Sequence, residues 1–292
     1  MKILTTSDFC KKEYGEKLYK ISLSAGFTCP NRDGSKDTRG CIFCSEGGSG
    51  DFAESCNLNI SEQIEKAKER VKNKFKGEHY IAYFQSFTNT YASLDHLRSI
   101  YDPLIKREDI SVISIATRPD CLSDEIISYL GEINKQKSVW VELGLQTVNE
   151  SSIKYIRRCY DTKEYDDAIT KLNALGIHTI THVILGLPGE TKNDMLKTVQ
   201  HAVDLKTKGI KLQLLHVLEN TDLAEDYRNG LFKTLELDEY TEIVCQCLKI
   251  IPEDVVIHRL TGDGPKKILI APLWSGDKKR VMNTINKAIS QI

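Results

Sequence analysis

Three cysteines in one short segment have the types and spacing of ligands to a metal ion or a metal cluster. Eleven residues separate Cys29 from Cys41, and two residues separate Cys41 from Cys44. The same stretch contains many residues that favour turns, namely Gly26, Pro30, Gly34, Gly40, Gly47 and Gly48. Because such a stretch is a poor core element, thiols placed on it predict ligation rather than packing.

The spacing alone leaves three interpretations open. A structural zinc site takes four ligands, and Cys56, with eleven residues between it and Cys44, could complete a four-thiolate set. An iron–sulfur cubane held by three thiolates keeps one iron for a ligand that is not protein. In the third interpretation the cysteines are unrelated residues of the core.

Six apolar, β-branched segments alternate with helical patterns and supply the elements that must position this loop. They fall at residues 17–25, 79–86, 110–117, 138–146, 177–186 and 210–218, and helices between them are expected to begin at Ser61, Ser123 and Thr191. Near-continuous apolar strands separated by single helices predict parallel strands buried on both faces. We therefore expect an α/β fold, a partial (β/α)6 TIM-like barrel. Its core would span about residues 18–225 and a C-terminal extension about 226–292, all in one domain over residues 1–292.

The cysteine segment directly follows the first predicted strand. In a parallel barrel, the loops after the carboxyl ends of the strands form the active face. We therefore expect Cys29, Cys41 and Cys44 to lie at the mouth of the barrel.

Composition excludes few classes of protein. The 292 residues include 40 Lys and Arg against 41 Asp and Glu, so no global charge attracts nucleic acid or an anionic membrane. No apolar run approaches a membrane span, and the N-terminal residues do not read as a signal peptide, so a cytoplasmic protein without a membrane partner is expected. Nine cysteines, an odd number, favour reduced thiols over a disulfide framework in that compartment.

The segment Cys41-Ile42-Phe43-Cys44, with an aromatic residue before the last cysteine, resembles the second half of the cluster motif of the radical S-adenosylmethionine (SAM) superfamily. The eleven-residue first gap resembles the group related to the catalytic subunit of Elongator. Further motifs continue the resemblance over nearly the whole chain: YFQSFTNTYA, ATRPDCL, VELGLQTVNE and THVILGLPGET, at successive predicted strand ends, and IHRLTGDGPKKILIAPLWS near the C-terminus.

The resemblance implies that Cys29, Cys41 and Cys44 ligate a [4Fe–4S] cluster whose fourth iron is chelated by SAM. One electron, from a flavodoxin or a ferredoxin-like donor, would cleave SAM to methionine and a 5′-deoxyadenosyl radical that abstracts hydrogen from the substrate. The cofactors supply this chemistry, and the protein binds, orients and excludes water.

It also implies a set of SAM contacts: Phe43, Ser86, Phe87, Thr88, Gln146, Arg158, His182 and Ile184. The stretch from Ser86 to Thr88 replaces a glycine-rich segment that holds the SAM amino group. Gln146 would contact the ribose, Arg158 the carboxylate through paired hydrogen bonds, and Ile184 the adenine. His182 stands where relatives carry a ribose-binding acid.

Several of these residues have structural alternatives. Arg158 could be a solvated residue at a helix end, and His182 a satisfied core histidine. Arg118 could hold substrate or cofactor, or could pair with Asp120. Five further cysteines are expected in the core, with some reactivity at two of them: Cys56, Cys121, Cys159, Cys245 and Cys247, of which Cys121 and Cys159 lie beside arginines.

The resemblance extends to bacterial members linked to wobble-uridine modification, which implies tRNA as substrate and conversion of a carboxymethylaminomethyl to an aminomethyl side chain. Candidate phosphate contacts are Lys66, Lys68, Arg70, Lys72, Lys74, Lys266, Lys267, Lys278 and Lys279, although such runs are often only solvated helix faces. The alternatives are a radical enzyme for a small metabolite and, in a different class, a zinc-stabilised binding protein.

Overall fold

The computed structural model describes residues 2–48, 53–54, 56–262 and 264–292. The helices are α1 (Thr6–Tyr14), α2 (Ile60–Val71), α3 (Leu94–Ile105), α4 (Asp124–Asn134), α5 (Glu150–Tyr155), α6 (Thr162–Ala174), α7 (Lys192–Asp204), α8 (Asp222–Arg228), α9 (Leu237–Ile250) and α10 (Lys278–Ile289). The strands are β1 (Leu4–Thr5), β2 (Tyr19–Leu23), β3 (Tyr80–Phe84), β4 (Ile110–Thr117), β5 (Ser138–Gln146), β6 (His178–Leu185), β7 (Gly209–Leu214), β8 (Val217–Leu218), β9 (Val256–Arg259) and β10 (Leu269–Ala271). Asp263, within the C-terminal motif, lies outside the described residues.

The main sheet confirms the predicted parallel α/β barrel but is two strands wider than expected. Its order is β1-β9-β7-β6-β5-β4-β3-β2, and every neighbouring pair is parallel. The six predicted strands are β2 to β7. The added strands β9 and β1 have only four and two residues, too few for a hydrophobic pattern to reveal them. The region after residue 226 therefore contributes to the barrel sheet through β9.

Alternation along β5 shows how the sheet presents polar side chains to its concave face. Val139, Val141, Leu143 and Leu145 belong to the main core cluster. The intervening positions point to the other face of the strand because side chains alternate along it, and Glu142, Gly144 and Gln146 line a cavity there.

Helix starts follow side-chain capping. Ser123 and Thr191 accept hydrogen bonds from the first helical amides of α4 and α7, as predicted. The predicted start at Ser61 is wrong by two residues: Asn59 caps α2 and forms a capping box with Glu62. No helix in the described part of the chain has the length and apolarity needed to cross a membrane.

Candidate active site

The three motif cysteines line one cavity at the carboxyl ends of the strands. Its volume is about 180 Å³, and Cys29, Cys41 and Cys44 share its wall with side chains from β3 to β7. Of the residues predicted to contact SAM, seven line this cavity: Phe43, Phe87, Thr88, Gln146, Arg158, His182 and Ile184. Ser86 is buried and does not line it. The fold therefore brings together residues that lie more than 150 positions apart.

Arg32 shapes the cysteine loop from within. Its guanidinium donates hydrogen bonds to the carbonyl oxygens of Ser45 at 2.6 Å, Cys44 at 3.0 Å and Glu46 at 3.3 Å. Gly40 lies against this side chain with φ of 77°, and a Cβ there would come within 2.9 Å of Arg32 Nε. The half-buried guanidinium of Arg32 thus holds the backbone that carries Cys44.

Asn31 ties the same loop to the end of α5. This fully buried side chain donates through Nδ2 to the Arg157 carbonyl at 2.7 Å and to Cys41 Sγ at 3.5 Å. The amide of Ile42 also donates to the Ile156 carbonyl at 3.2 Å. Cys41 is therefore positioned by the loop and by the α5 end together.

Positive charge lies next to the thiols. Arg118 Nη1 is 3.9 Å from Cys29 Sγ, and the same guanidinium pairs with Asp120 at 2.9 and 2.8 Å. The predicted pair with Asp120 is therefore present, and Arg118 also lines the cavity, so its contact with substrate or cofactor stays a prediction. Burial raises the pKa of Cys41 to about 12, with the nearby Cys44 thiol adding to the rise and Arg118 opposing it.

The donor set fits a cluster better than a single ion. Among the described residues, no three His, Cys, Asp or Glu side chains are arranged to hold one metal ion. Cubane ligation does not require such convergence, because each thiolate binds a different iron. Cys56 is exposed and lines a different cavity, so it does not complete a four-thiolate zinc site with the other three cysteines. We conclude that Cys29, Cys41 and Cys44 suit a [4Fe–4S] cluster.

Gln146 offers an unused acceptor in the cavity. Its Oε1 is buried without a hydrogen-bond partner, and its backbone has φ of 65°. A buried acceptor left unpaired costs about 1–3 kcal/mol, which a ligand hydroxyl would recover. This orphaned oxygen agrees with the ribose contact predicted for Gln146.

Arg158 is a buried side chain that binds backbone carbonyls, not a solvated residue at a helix end. It is 1% exposed, and its guanidinium donates to the carbonyls of Leu145 and Thr147 at 2.8 Å each and of Tyr160 at 3.0 Å. A fourth bond goes to Thr162 Oγ1 at 3.1 Å. These bonds use four of the five N–H groups of a guanidinium. Its contact with a SAM carboxylate stays a prediction.

A buried charge network beneath the cavity was not anticipated from the sequence. Glu142, which is 1% exposed, accepts hydrogen bonds from His182 at 2.7 Å, Ser114 at 2.8 Å and Lys20 at 2.9 Å, and it also contacts Lys211. Burial would raise the Glu142 pKa, but Lys20 and Lys211 hold it well below its usual range. An acid in the middle of an otherwise apolar strand was the available signal.

The partners of Glu142 respond to the same environment. Burial lowers the pKa of Lys211 to about 7. Burial also lowers the pKa of His182 to about 4, and the positive charge of the neighbouring Lys211 lowers it further. His182 is therefore neutral near pH 7 and held by Glu142. The structure thus shows His182 as a partnered histidine that also lines the cavity, and its contact with SAM stays a prediction.

Comparison with known proteins agrees with this site. The chain is 43% identical to YtqA of Bacillus subtilis over 279 residues, 96% of this chain and 87% of that protein. It is 26% identical over 161 residues to the tRNA uridine(34) acetyltransferase of Methanocaldococcus jannaschii, 54% of this chain and 29% of that protein. The structure of the archaeal Methanocaldococcus infernus Elp3 has the same fold, with a TM-score of 0.69 at 18% identity over 92% of this chain and 63% of that one.

The family models match longer segments of the chain than any single motif covers. Residues 37–202 match the radical SAM superfamily, and residues 207–291 match the radical SAM C-terminal domain. The first match alone covers more than half of the chain, and it includes two of the three motif cysteines. This chain belongs to the radical SAM superfamily, whose enzymes use a [4Fe–4S] cluster and SAM.

Proposed function

We propose that this radical SAM enzyme acts on the wobble uridine of tRNA and converts a carboxymethylaminomethyl side chain into an aminomethyl side chain. The observation that carries the proposal is a second chamber of about 360 Å³ that adjoins the cysteine cavity. The two share wall residues, including Phe43, Tyr83, Gln85, Ile184, Gln213 and Arg259. A group held in the chamber would therefore face the cofactor site directly.

The size of the chamber suits one modified base rather than a stretch of nucleic acid. Small-molecule sites usually occupy about 300–1,000 Å³, so this chamber would admit a single nucleobase with its side chain. Enzymes that modify bases commonly take the target base out of its stack and into such a pocket. The similarity to a tRNA uridine(34) acetyltransferase supports uridine 34 as that base.

Phosphate contacts are best assigned next to the chamber. Lys266 and Lys267 are exposed and directly follow Gly264 and Pro265, which line the chamber wall. Exposed lysines at that position would bind the RNA backbone while a base enters the chamber.

The basic run on α2 suits this role less well. Lys68 pairs with Asp109 at 3.0 Å, Arg70 with Glu54 at 2.5 Å, and Lys72 with Glu69. Three of its five basic residues are thus engaged with carboxylates, as in an ordinary solvated helix face.

The proposed conversion balances without a further oxidant. Bound SAM supplies the radical that removes hydrogen, and its reductive cleavage accepts two electrons. The methylene between nitrogen and carboxylate loses those two electrons and becomes an imine carbon. Water adds to that carbon and the C–N bond breaks, which releases the aminomethyl base, glyoxylate and one net proton. An electron donor is then needed only to start each turnover.

The direct test uses tRNA from cells that lack the gene. Anaerobically reconstituted enzyme, SAM and a reduced flavodoxin should yield aminomethyluridine, glyoxylate and 5′-deoxyadenosine in equal amounts, measured by mass spectrometry. A Cys41→Ala/Cys44→Ala variant should lose iron, sulfide and all three products. Cys56→Ala is the matched control and should keep them, because Cys56 does not line the cavity.

The outcome also separates the alternatives. Unchanged wobble uridines in the gene deletion, together with no product in vitro, would exclude tRNA as the substrate. The adjoining chamber would then favour a small metabolite, because its volume suits a free molecule equally well.

A further inference from the structure

Two lysines lie against the same aromatic ring at the place where the second chamber meets the cysteine cavity. Lys20 Nζ lies 4.3 Å from the centre of the Tyr83 ring, and Lys211 Nζ lies 4.7 Å from it. Lys20 lines the second chamber, Lys211 lines the cysteine cavity, and Tyr83 lines both. The cationic floor, defined here as Lys20, Lys211 and Arg259, therefore lies where the two spaces join.

One carboxylate serves both lysines. Glu142 Oε1 accepts from Lys20 at 2.9 Å, and Oε2 contacts Lys211. The third partner, His182, is neutral near pH 7, so it adds no charge to the cluster. When Lys211 is protonated, the two ammonium groups exceed the single carboxylate by one charge. Because burial lowers the pKa of Lys211 to about 7, that excess is only partly present near neutral pH, and an anion bound nearby would favour it.

Among the described residues that line the chamber, no acid compensates that excess. Its described lining includes Lys20 and Arg259, together with neutral polar side chains such as Gln85 and Gln213, and it contains no Asp or Glu. Lys20 keeps 27% of its side chain exposed although its ammonium is bonded to Glu142. The ammonium of Lys20 can thus hold Glu142 on one side and meet a ligand on the other, since it has three donors.

We propose that the cationic floor binds a carboxylate of the substrate and selects substrates that carry one. The proposal rests on the proposed function and deepens it, because a carboxymethylaminomethyl group ends in such a carboxylate. A carboxylate would accept from the ammonium of Lys20, and the positive charge of Arg259, which lines the same chamber, would favour an anion there. RNA phosphates remain outside, at the exposed Lys266 and Lys267, when a single base enters the chamber.

The arrangement also fixes the direction in which the side chain enters. With its carboxylate on the floor where the two spaces join, the methylene next to that carboxylate lies beside the wall shared with the cysteine cavity. That methylene is the carbon that loses hydrogen in the proposed reaction. Binding of the charge and positioning of the reacting carbon are therefore one event.

The test compares two anticodon stem-loop RNAs that differ in one group. One carries carboxymethylaminomethyluridine, and the other carries its neutral carboxamide, so that the phosphates are identical. Binding is measured by fluorescence anisotropy with the cluster-loaded enzyme and SAM under anaerobic, non-reducing conditions. Wild type should bind the carboxylate RNA at least tenfold more tightly than the amide RNA.

Substitutions assign that preference to the floor. Lys20→Met should reduce the preference to less than threefold, whereas Lys20→Arg should restore most of it because the charge is kept. Lys266→Met is the matched control and should weaken both RNAs equally, which leaves their ratio unchanged. Thermal melting and iron content of each variant show whether it is folded and loaded.

Each outcome decides a separate point. Equal binding of the two RNAs by wild type, or a preference that survives in folded Lys20→Met, overturns the carboxylate floor. A preference that depends on Lys20 supports the floor even if neither RNA is converted on reduction. That last result would overturn the proposed reaction alone.

Discussion

At the scale of single residues, Gln146 is the side chain whose missing hydrogen-bond partner most directly indicates a ligand. Its amide oxygen is buried and unpartnered, although it lines the cavity that holds the three cysteines. A protein fold gains nothing from such an atom, since an unpaired buried acceptor only costs free energy. We expect a hydroxyl of bound SAM to donate to this oxygen, which would supply the missing hydrogen bond.

We therefore expect Gln146→Met to weaken SAM binding and leave the fold as stable as wild type or slightly more so. Loss of one neutral hydrogen bond, about 0.5–1.5 kcal/mol, corresponds to roughly a two- to tenfold rise in Kd, measured by calorimetry on anaerobic protein. Gln136→Met, at an exposed position, is the matched control. Unaltered SAM affinity in Gln146→Met would show that this oxygen has no role in binding.

Residue-level prediction succeeded where chemistry imposes a spacing and failed where burial creates a role. The cysteines could be recognised because cluster ligation demands three thiolates on one loop. Arg158 could not be distinguished from a solvated arginine, because its four acceptors come from backbone and side chains brought together only by the turn after β5. The lysines of the Glu142 network lie on β2 and β7, far from Glu142 in sequence, and no local pattern joins them.

At the scale of elements, side chains of the loop after β2 hold the backbone around Cys44. Arg32 fills the space beside Gly40 and binds the carbonyls around Cys44. The loop therefore presents Cys44 in one position before any cluster arrives, and preorganisation of this kind lowers the cost of ligation.

Gly40→Ala should displace Arg32 and reduce iron content after reconstitution by at least half. The added Cβ would lie 2.9 Å from Arg32 Nε, in addition to the strain of a left-handed residue. Gly34→Ala is a close control, because Gly34 has φ of 89° and a Cβ there meets no atom within 4 Å. Both variants carry the backbone strain, and only the first disturbs the loop. Equal iron content in the two would contradict the role assigned to Arg32.

Long strands could be predicted from the sequence more readily than short ones. The predicted strands have apolar runs, and five of them appear in the main sheet at their predicted positions. The sixth, predicted over residues 210–218, is divided: β7 belongs to the main sheet, and β8 pairs with β10 in a separate antiparallel sheet. Short elements gain their pairing from the rest of the fold: Leu4 and Thr5 form a strand only because Val256 and Ile257 lie opposite them. The strand β9 lies in the expected C-terminal extension and still joins the main sheet, while the division expected at about residue 226 stays a prediction.

At the scale of the whole molecule, a pair of histidines connects strand β6 to strand β9, which comes from the C-terminal part of the chain. His178 on β6 and His258 on β9 have their Nε2 atoms 3.3 Å apart, and Trp140 on β5 packs against both rings. Burial lowers the pKa of His178 to about 4 and places that of His258 well below its usual range. Lys20 lowers both further, while Glu142 opposes the shift.

The sign of the effect on stability follows from these directions. Unfolded histidines titrate near 6.5, so between that pH and the lower folded values the unfolded chain binds more protons than the native one. The free energy of unfolding is therefore full above about pH 6.5 and falls as the pH drops toward 4. At pH 5.5 the loss amounts to about 1 kcal/mol for each histidine.

We expect urea denaturation of the chain to show this loss between pH 7.5 and pH 5.5, and His178→Gln/His258→Gln to reduce it by about 2 kcal/mol. Glutamine can replace an imidazole nitrogen with an amide and carries no charge at either pH. The double variant starts less stable at pH 7.5, because it loses ring packing against Trp140, so the difference between the two pH values is the relevant quantity. If the variant and wild type lose equal free energy on acidification, the pH dependence arises elsewhere, and the two histidines are only packing elements of the barrel.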